Sequence, residues 1–184
     1  MRNSKQQGLA SLGKEILIFV LIFYSTYFCL NYLTTKVFFL CRVEQTSMEN
    51  TLLPNQILFG KHQHFTKTTI KRGAIVVFSP PPSEGNSLLI KRVIGLPGEQ
   101  VTLKNGQVYI NNSTTPLEEK YRISDTLTKK FNFEDIKVPL DSVFLMGDNS
   151  PVSIDSRTFG PVKLASIRAN MFFSLYPIRK IGKL

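Results

Sequence analysis

Apolar residues follow two regimes along this chain. From Ile16 to Leu33, 18 residues pass without a charge, rich in Ile, Leu, Phe and Tyr. A helix rises about 1.5 Å per residue, so about 20 residues cross the hydrocarbon core of a bilayer. Lipid offers no partners to backbone N–H and C=O groups, which leaves helix as the conformation of such a run. Lys36 can snorkel at its far end, and Val37 to Leu40 is expected to extend the apolar stretch. The pattern predicts a tail over 1–14, a retained membrane anchor over 15–36, and a separate domain over 37–184. A cleaved secretory signal is the competing reading, but the run is long for one and no Ala-x-Ala site follows it.

Beyond the anchor the runs shorten to strand length. Ile57-Leu58-Phe59, Ala74 to Phe78, Leu88-Leu89-Ile90 and Val143 to Met146 are short apolar or β-branched segments. Val101 to Lys104 and Gln107 to Ile110 flank Asn105-Gly106, the strongest local hairpin signal, because a type I′ turn needs positive φ at both central residues. Pro80 to Asn86 has loop chemistry. Leu117 to Phe133 is polar and reads as a surface insertion, within about 111–135. No amphipathic helix of 12 or more residues stands out. The expected fold is mainly β, antiparallel and partly closed, behind one transmembrane helix.

Charge narrows the partners. The chain has 23 Lys and Arg against 13 Asp and Glu, a formal charge of +10. Arg2, Lys5 and Lys14 precede the span with no acid before Glu15, which points the N-terminus to the cytoplasm and the domain outside, although Lys36 and Arg42 oppose this. The surplus beyond residue 42 is dispersed, with no run of five like charges. It therefore reads as a solvated or membrane-facing surface and not as a nucleic-acid interface. Two cysteines exclude a disulfide-dense scaffold. Cys29 lies within the span and Cys41 beyond it, so they are not expected to pair.

Lys91 is the oddest residue. It sits in Leu88 to Ile94, where alternation places it with Leu89 and Val93 and leaves both strand faces apolar. A buried ammonium loses its proton more readily, and a neutral amine is a competent general base. The bland alternative is a lysine snorkelling at a sheet edge. Ser47, in Thr46 to Thr51, is equally readable as a helix cap or turn. Gly147 to Arg157 is a polar loop directly after an apolar strand, where Asp155 and Arg157 are free to pair with each other. It fails as a calcium loop, since Ser153 stands where a glycine is needed. His62 and His64 share a face in an extended segment. They lack further metal ligands, and a Ser-His-Asp triad using one of them is the remote option.

Together these segments resemble a membrane-bound type I signal peptidase, in the short form of Gram-positive bacteria. Ser47-Met48-x-x-Thr51-Leu52 resembles the nucleophile box, and Lys91 to Glu99 the lysine box. Gly147-Asp148-Asn149, with Ser153-x-Asp155-Ser156-Arg157 and Gly160, resembles the third box. The resemblance implies a serine endopeptidase of the bacterial plasma membrane that removes signal peptides from preproteins and needs no metal or organic cofactor. It implies Ser47 as nucleophile, Lys91 as general base and Ser153 as the hydroxyl orienting the amine. Asp155 and Arg157 would brace the site, with Gln45 and the Ser47 backbone at the oxyanion hole.

The chain departs from the family pattern in places. Asn50 replaces a usual Pro, which is expected to loosen the nucleophile turn, and Asn55-Gln56 replaces a Gly-Asp pair. Ser150 replaces a frequent Arg. These departures motivate an alternative, a signal-peptidase-like accessory factor for assembling exported surface proteins. A self-cleaving repressor-type Ser-Lys protein is disfavoured by the span.

Overall fold

The computed structural model describes residues 2–62, 69–119, 121 and 133–184. It divides into two compact units that meet in sequence at Phe38 and Phe39.

The first unit is helix α1 (Arg2–Tyr32), continued by a π-helical turn over Leu33–Val37. Leu12–Val37, 26 residues, is long and apolar enough to cross a membrane by length and composition. At 1.5 Å per residue that is about 39 Å. Its hydroxyls do not break the helix because they bond backward. Thr26 donates to the Ile22 carbonyl at 2.8 Å, and Thr35 to the Asn31 carbonyl at 2.7 Å.

The second unit is built of strands. In chain order these are β1 (Phe38–Arg42), β2 (Ile57–His62), β3 (Ile75–Phe78), β4 (Leu89–Gly95), β5 (Gln100–Lys104) and β6 (Gln107–Ile110). They continue with β7 (Phe133–Lys137), β8 (Ser142–Met146), β9 (Val162–Lys163), β10 (Ile167–Tyr176) and β11 (Gly182–Lys183). A four-residue helix, α2 (Ser156–Phe159), precedes β9. The larger sheet runs β1-β2-β10-β3-β4-β8-β9, with β11 on β10, and the smaller runs β6-β5-β7. The ladders joining β2, β10, β3, β4, β8 and β9 are antiparallel, and the sheet curls as a half-barrel. The expected antiparallel, partly closed β-fold is therefore present.

The helix gives way to strand inside the apolar run. The apolar stretch continues through Leu40 but the helix does not, because Phe38 is already extended at φ −100 and ψ 148. The period changes to two, so Phe39 and Cys41 pack on the core while Leu40 stays exposed.

The larger sheet is covered on both faces at β3. Val76 and Phe78 join one cluster with Leu89, Val93 and Leu145, while Ile75 and Val77 join Met48, Leu52 and Met171. The two-residue period of an extended chain produces this split. The Asn105-Gly106 hairpin forms as expected, with φ of 51 and 78. Val101, Leu103 and Val108 of the small sheet pack against Ile94, Phe144 and Met146. Gly95 allows this approach, since a Cβ there would lie 2.6 Å from Val101 Cγ2 and 2.8 Å from Phe144 Cβ. Gly95→Ala is expected to cost about 1–3 kcal/mol by overpacking. The check is a lowered thermal midpoint in detergent, and an unchanged midpoint would count against this packing.

Candidate active site

The site forms where β8 stops. The last β4–β8 pair beside it is Arg92 with Met146, and Lys91 lies one residue further along β4. There the chain leaves the sheet at Gly147, whose N–H donates to Asp155 Oδ2 at 2.9 Å. A Cβ at Gly147 would collide with Ser153 Oγ and the Ser47 carbonyl, so only glycine admits this approach. The nucleophile-box turn fills the space. Asn149 N–H donates to the Ser47 carbonyl at 3.0 Å, and Asn149 Nδ2 to the Thr46 carbonyl at 3.1 Å.

Lys91 is 1% exposed and Ser47 8%. Lys91 Nζ donates to Ser47 Oγ at 2.6 Å across 44 residues of sequence. Burial pushes the lysine down from 10.5 to about 8, with Arg157 acting in the same direction and Asp155 and Asp148 opposing it. The strand-edge reading of Lys91 is thereby overturned, since its head is enclosed.

Both carboxylates carry their own arginine. Asp155 and Arg157, which the sequence left free to pair, do so at 2.8 Å with side chains 0% and 2% exposed. Arg157 also donates to the Ser150 and Ser153 carbonyls at 2.9 and 3.2 Å, pinning the loop. Asp155 further caps α2 by accepting from the Arg157 N–H at 3.1 Å. Ser153 is brought beside Gly147, but its Oγ is buried without a hydrogen-bond partner and does not contact Lys91 Nζ by hydrogen bond. Gln45 lines two clefts that Ser47 also lines, of about 110 and 390 Å³.

Arg92 and Asp148 lie within the quoted motif segments, but the resemblance assigned them no role. Arg92 binds Asp148 by two hydrogen bonds, at 2.9 and 2.6 Å, and Thr51 Oγ1 donates to Asp148 Oδ2 at 2.5 Å. An arginine in an apolar strand needs a partner, and that signal was available. Its address, 56 residues away, was not. His62 meets Phe39 edge-on at 5.0 Å and lines neither cleft, while His64 lies outside the described residues. The insertion over 117–133 is described only in part. Cys29 and Cys41 are free thiols, and burial pushes Cys41 up to about 11.

Two of the departures from the family pattern, Asn50 and Asn55, are accommodated by backbone conformation. Asn55 takes φ 66, which glycine would adopt easily and asparagine tolerates. Asn50 takes φ 92, which proline cannot reach. The turn is thus held differently from a proline-fixed one.

The family model described as signal peptidase, peptidase S26, matches residues 10–176. The chain belongs to this signal peptidase family. It is 38% identical over 141 residues to signal peptidase I V of Bacillus subtilis (strain 168), covering 71% of this chain and 82% of that protein. It is 35% identical over 147 residues to signal peptidase I of Bacillus amyloliquefaciens, covering 75% and 77%. A signal peptidase I structure from Enterococcus faecalis V583 is 33% identical, with a TM-score of 0.44, and covers 55% of this chain and 96% of that one. As a signal peptidase the chain is a peptidase that removes signal peptides from preproteins, and the reading as an accessory factor with little proteolytic activity is not favoured. Its apolar helix is consistent with membrane anchoring.

The buried lysine has a stability consequence. Below about pH 8 its ammonium is buried charged. The fall from 10.5 to about 8 is equivalent to about 3 kcal/mol. Between those values the folded chain has released a proton that the unfolded chain keeps, so stability rises with pH. Lys91→Met should therefore raise the thermal midpoint at pH 6–7, with the gain shrinking toward pH 10. A Met variant less stable at pH 6–7, or a pH-independent gain, would contradict this.

Proposed function

We propose that this signal peptidase cleaves by a Ser-Lys dyad. The supporting observation is the 2.6 Å contact between Lys91 Nζ and Ser47 Oγ, enclosed beside an open cleft. Once neutral, the amine accepts the hydroxyl proton as Oγ attacks the carbonyl of the last signal-peptide residue. The Ser47 backbone N–H and Gln45 hold the oxyanion. Lys91 then returns the proton to the leaving amine, which gives the acyl-enzyme. Water, deprotonated by Lys91, releases the signal-peptide acid and restores Ser47.

Ser153, whose buried Oγ has no hydrogen-bond partner in the structure, is the hydroxyl that would accept from Lys91 Nζ as the amine's second support. Asp155 and Arg157 keep the loop that carries Ser153 in place. Residues 1–14 lie in the cytoplasm, 15–36 span the plasma membrane as its lipid contact, and the domain over 37–184 is extracytoplasmic. The preprotein lies extended along the clefts, with small residues one and three before the cut. Tethering enzyme and substrate to one bilayer raises their effective concentration.

Cleavage of a preprotein in vesicles tests the dyad. Lys91→Ala should lower kcat/KM by about 10²–10⁴. Ser47→Ala should abolish turnover. Wild-type kcat/KM should rise about tenfold per pH unit and level off above about pH 8, as neutral Lys91 accumulates. Equal cleavage by all three proteins would overturn the dyad.

A further inference from the structure

The segment between β6 and β7 sends one described residue, Tyr121, to the back of the nucleophile turn. Asn50 Nδ2 donates to the Tyr121 carbonyl at 2.7 Å, across 71 residues of sequence. Asn50 sits at φ 92, a conformation that residues other than glycine rarely adopt, and this bond anchors its side chain there. The Tyr121 ring lies under the Arg92 guanidinium, with Cζ 4.0 Å from the ring centroid. Arg92 holds Asp148 twice and donates to Thr51 Oγ1 at 3.2 Å, and Thr51 donates to Asp148. The contacts close on themselves, because Thr51 follows Asn50 in the chain.

Each member adjoins a working part of the site. Asn50 and Thr51 end the turn that Ser47 begins, and Thr51 and Leu52 N–H both donate to the Met48 carbonyl, at 3.1 and 2.8 Å. Arg92 follows Lys91. Asp148 lies between Gly147 and Asn149, whose N–H holds the Ser47 carbonyl. A shift in this ring of contacts moves the Ser47 turn relative to Lys91, and small misplacements of a nucleophile cost rate steeply.

We propose that Tyr121 and Asn50 are positioning residues for Ser47. They form a clasp by which the segment between β6 and β7 sets the turn that proline would otherwise fix. The inference rests on Ser47 being the nucleophile. It predicts a kcat effect, since neither side chain lines a described cleft that Ser47 lines.

The test uses the full chain in vesicles with a preprotein substrate. Tyr121→Leu keeps apolar bulk and removes the cation–π contact. Asn50→Gly keeps the positive φ and removes the amide. Each should lower kcat about tenfold with KM within twofold of wild type. The double variant should fall no further than about tenfold, because one break already opens the clasp. Tyr121→Phe, which retains ring and carbonyl, should stay within twofold. Both single variants within twofold of wild type, or a double variant near the product of about a hundredfold, would overturn the clasp. Thermal midpoints accompany each assay. If one single variant is unfolded at the assay temperature, the other decides by the same tenfold criterion. Ser47→Ala run in parallel separates the failures: cleavage at the wild-type rate would overturn the nucleophile assignment itself, and the clasp with it.

Discussion

An ammonium group enclosed in an apolar sheet is the constraint on which this domain turns. Burying the Lys91 head beside Ser47 destabilises its charged form, and that same destabilisation makes a neutral base available near physiological pH. The neighbourhood is arranged to keep that effect. Asp155 and Asp148 pull the lysine back toward its charged form, but each is held by its own arginine. Arg157 further offsets them by acting on Lys91 in the same direction as burial.

The loop after β8 converts the electrostatics into geometry. Gly147 lets the turn carrying Ser47 approach the end of β4, and Asp155 fixes Gly147 through its N–H. Arg157 fixes the carbonyls on either side of Val152. The buried ion pairs therefore position a loop more than they stabilise a fold. A buried pair yields little net stability over apolar groups, whereas removing one partner leaves an expensive charge behind.

Much of this was legible where a local rule dominated. The uncharged run has one conformation in lipid, Asn105-Gly106 has one preferred turn, and Lys91 among aliphatics on both faces marks itself. Residues became illegible where distant partners decide. Val37 to Leu40 carries no Gly or Pro to mark the change from helix to strand, so the onset of β1 is hidden in an apolar run. β10 was missed because register shifts after Met171 and Ser174 break its two-residue period. β7 begins at the end of a polar segment and gives no alternation. Asn50 looked like a loss because proline is the familiar way to fix a turn. Positive φ and a contact from residue 121 supply another way, which sequence spacing does not encode.

The account stands on Lys91 losing its proton near pH 8, well below a free lysine, while enclosed. The direct measurement is the titration of its side-chain carbon shift by NMR, in protein carrying labelled lysine and assigned with Lys91→Met. A midpoint near pH 8, clearly below the other lysines, is the predicted result. A midpoint near the free-lysine value of about 10.4 would contradict it.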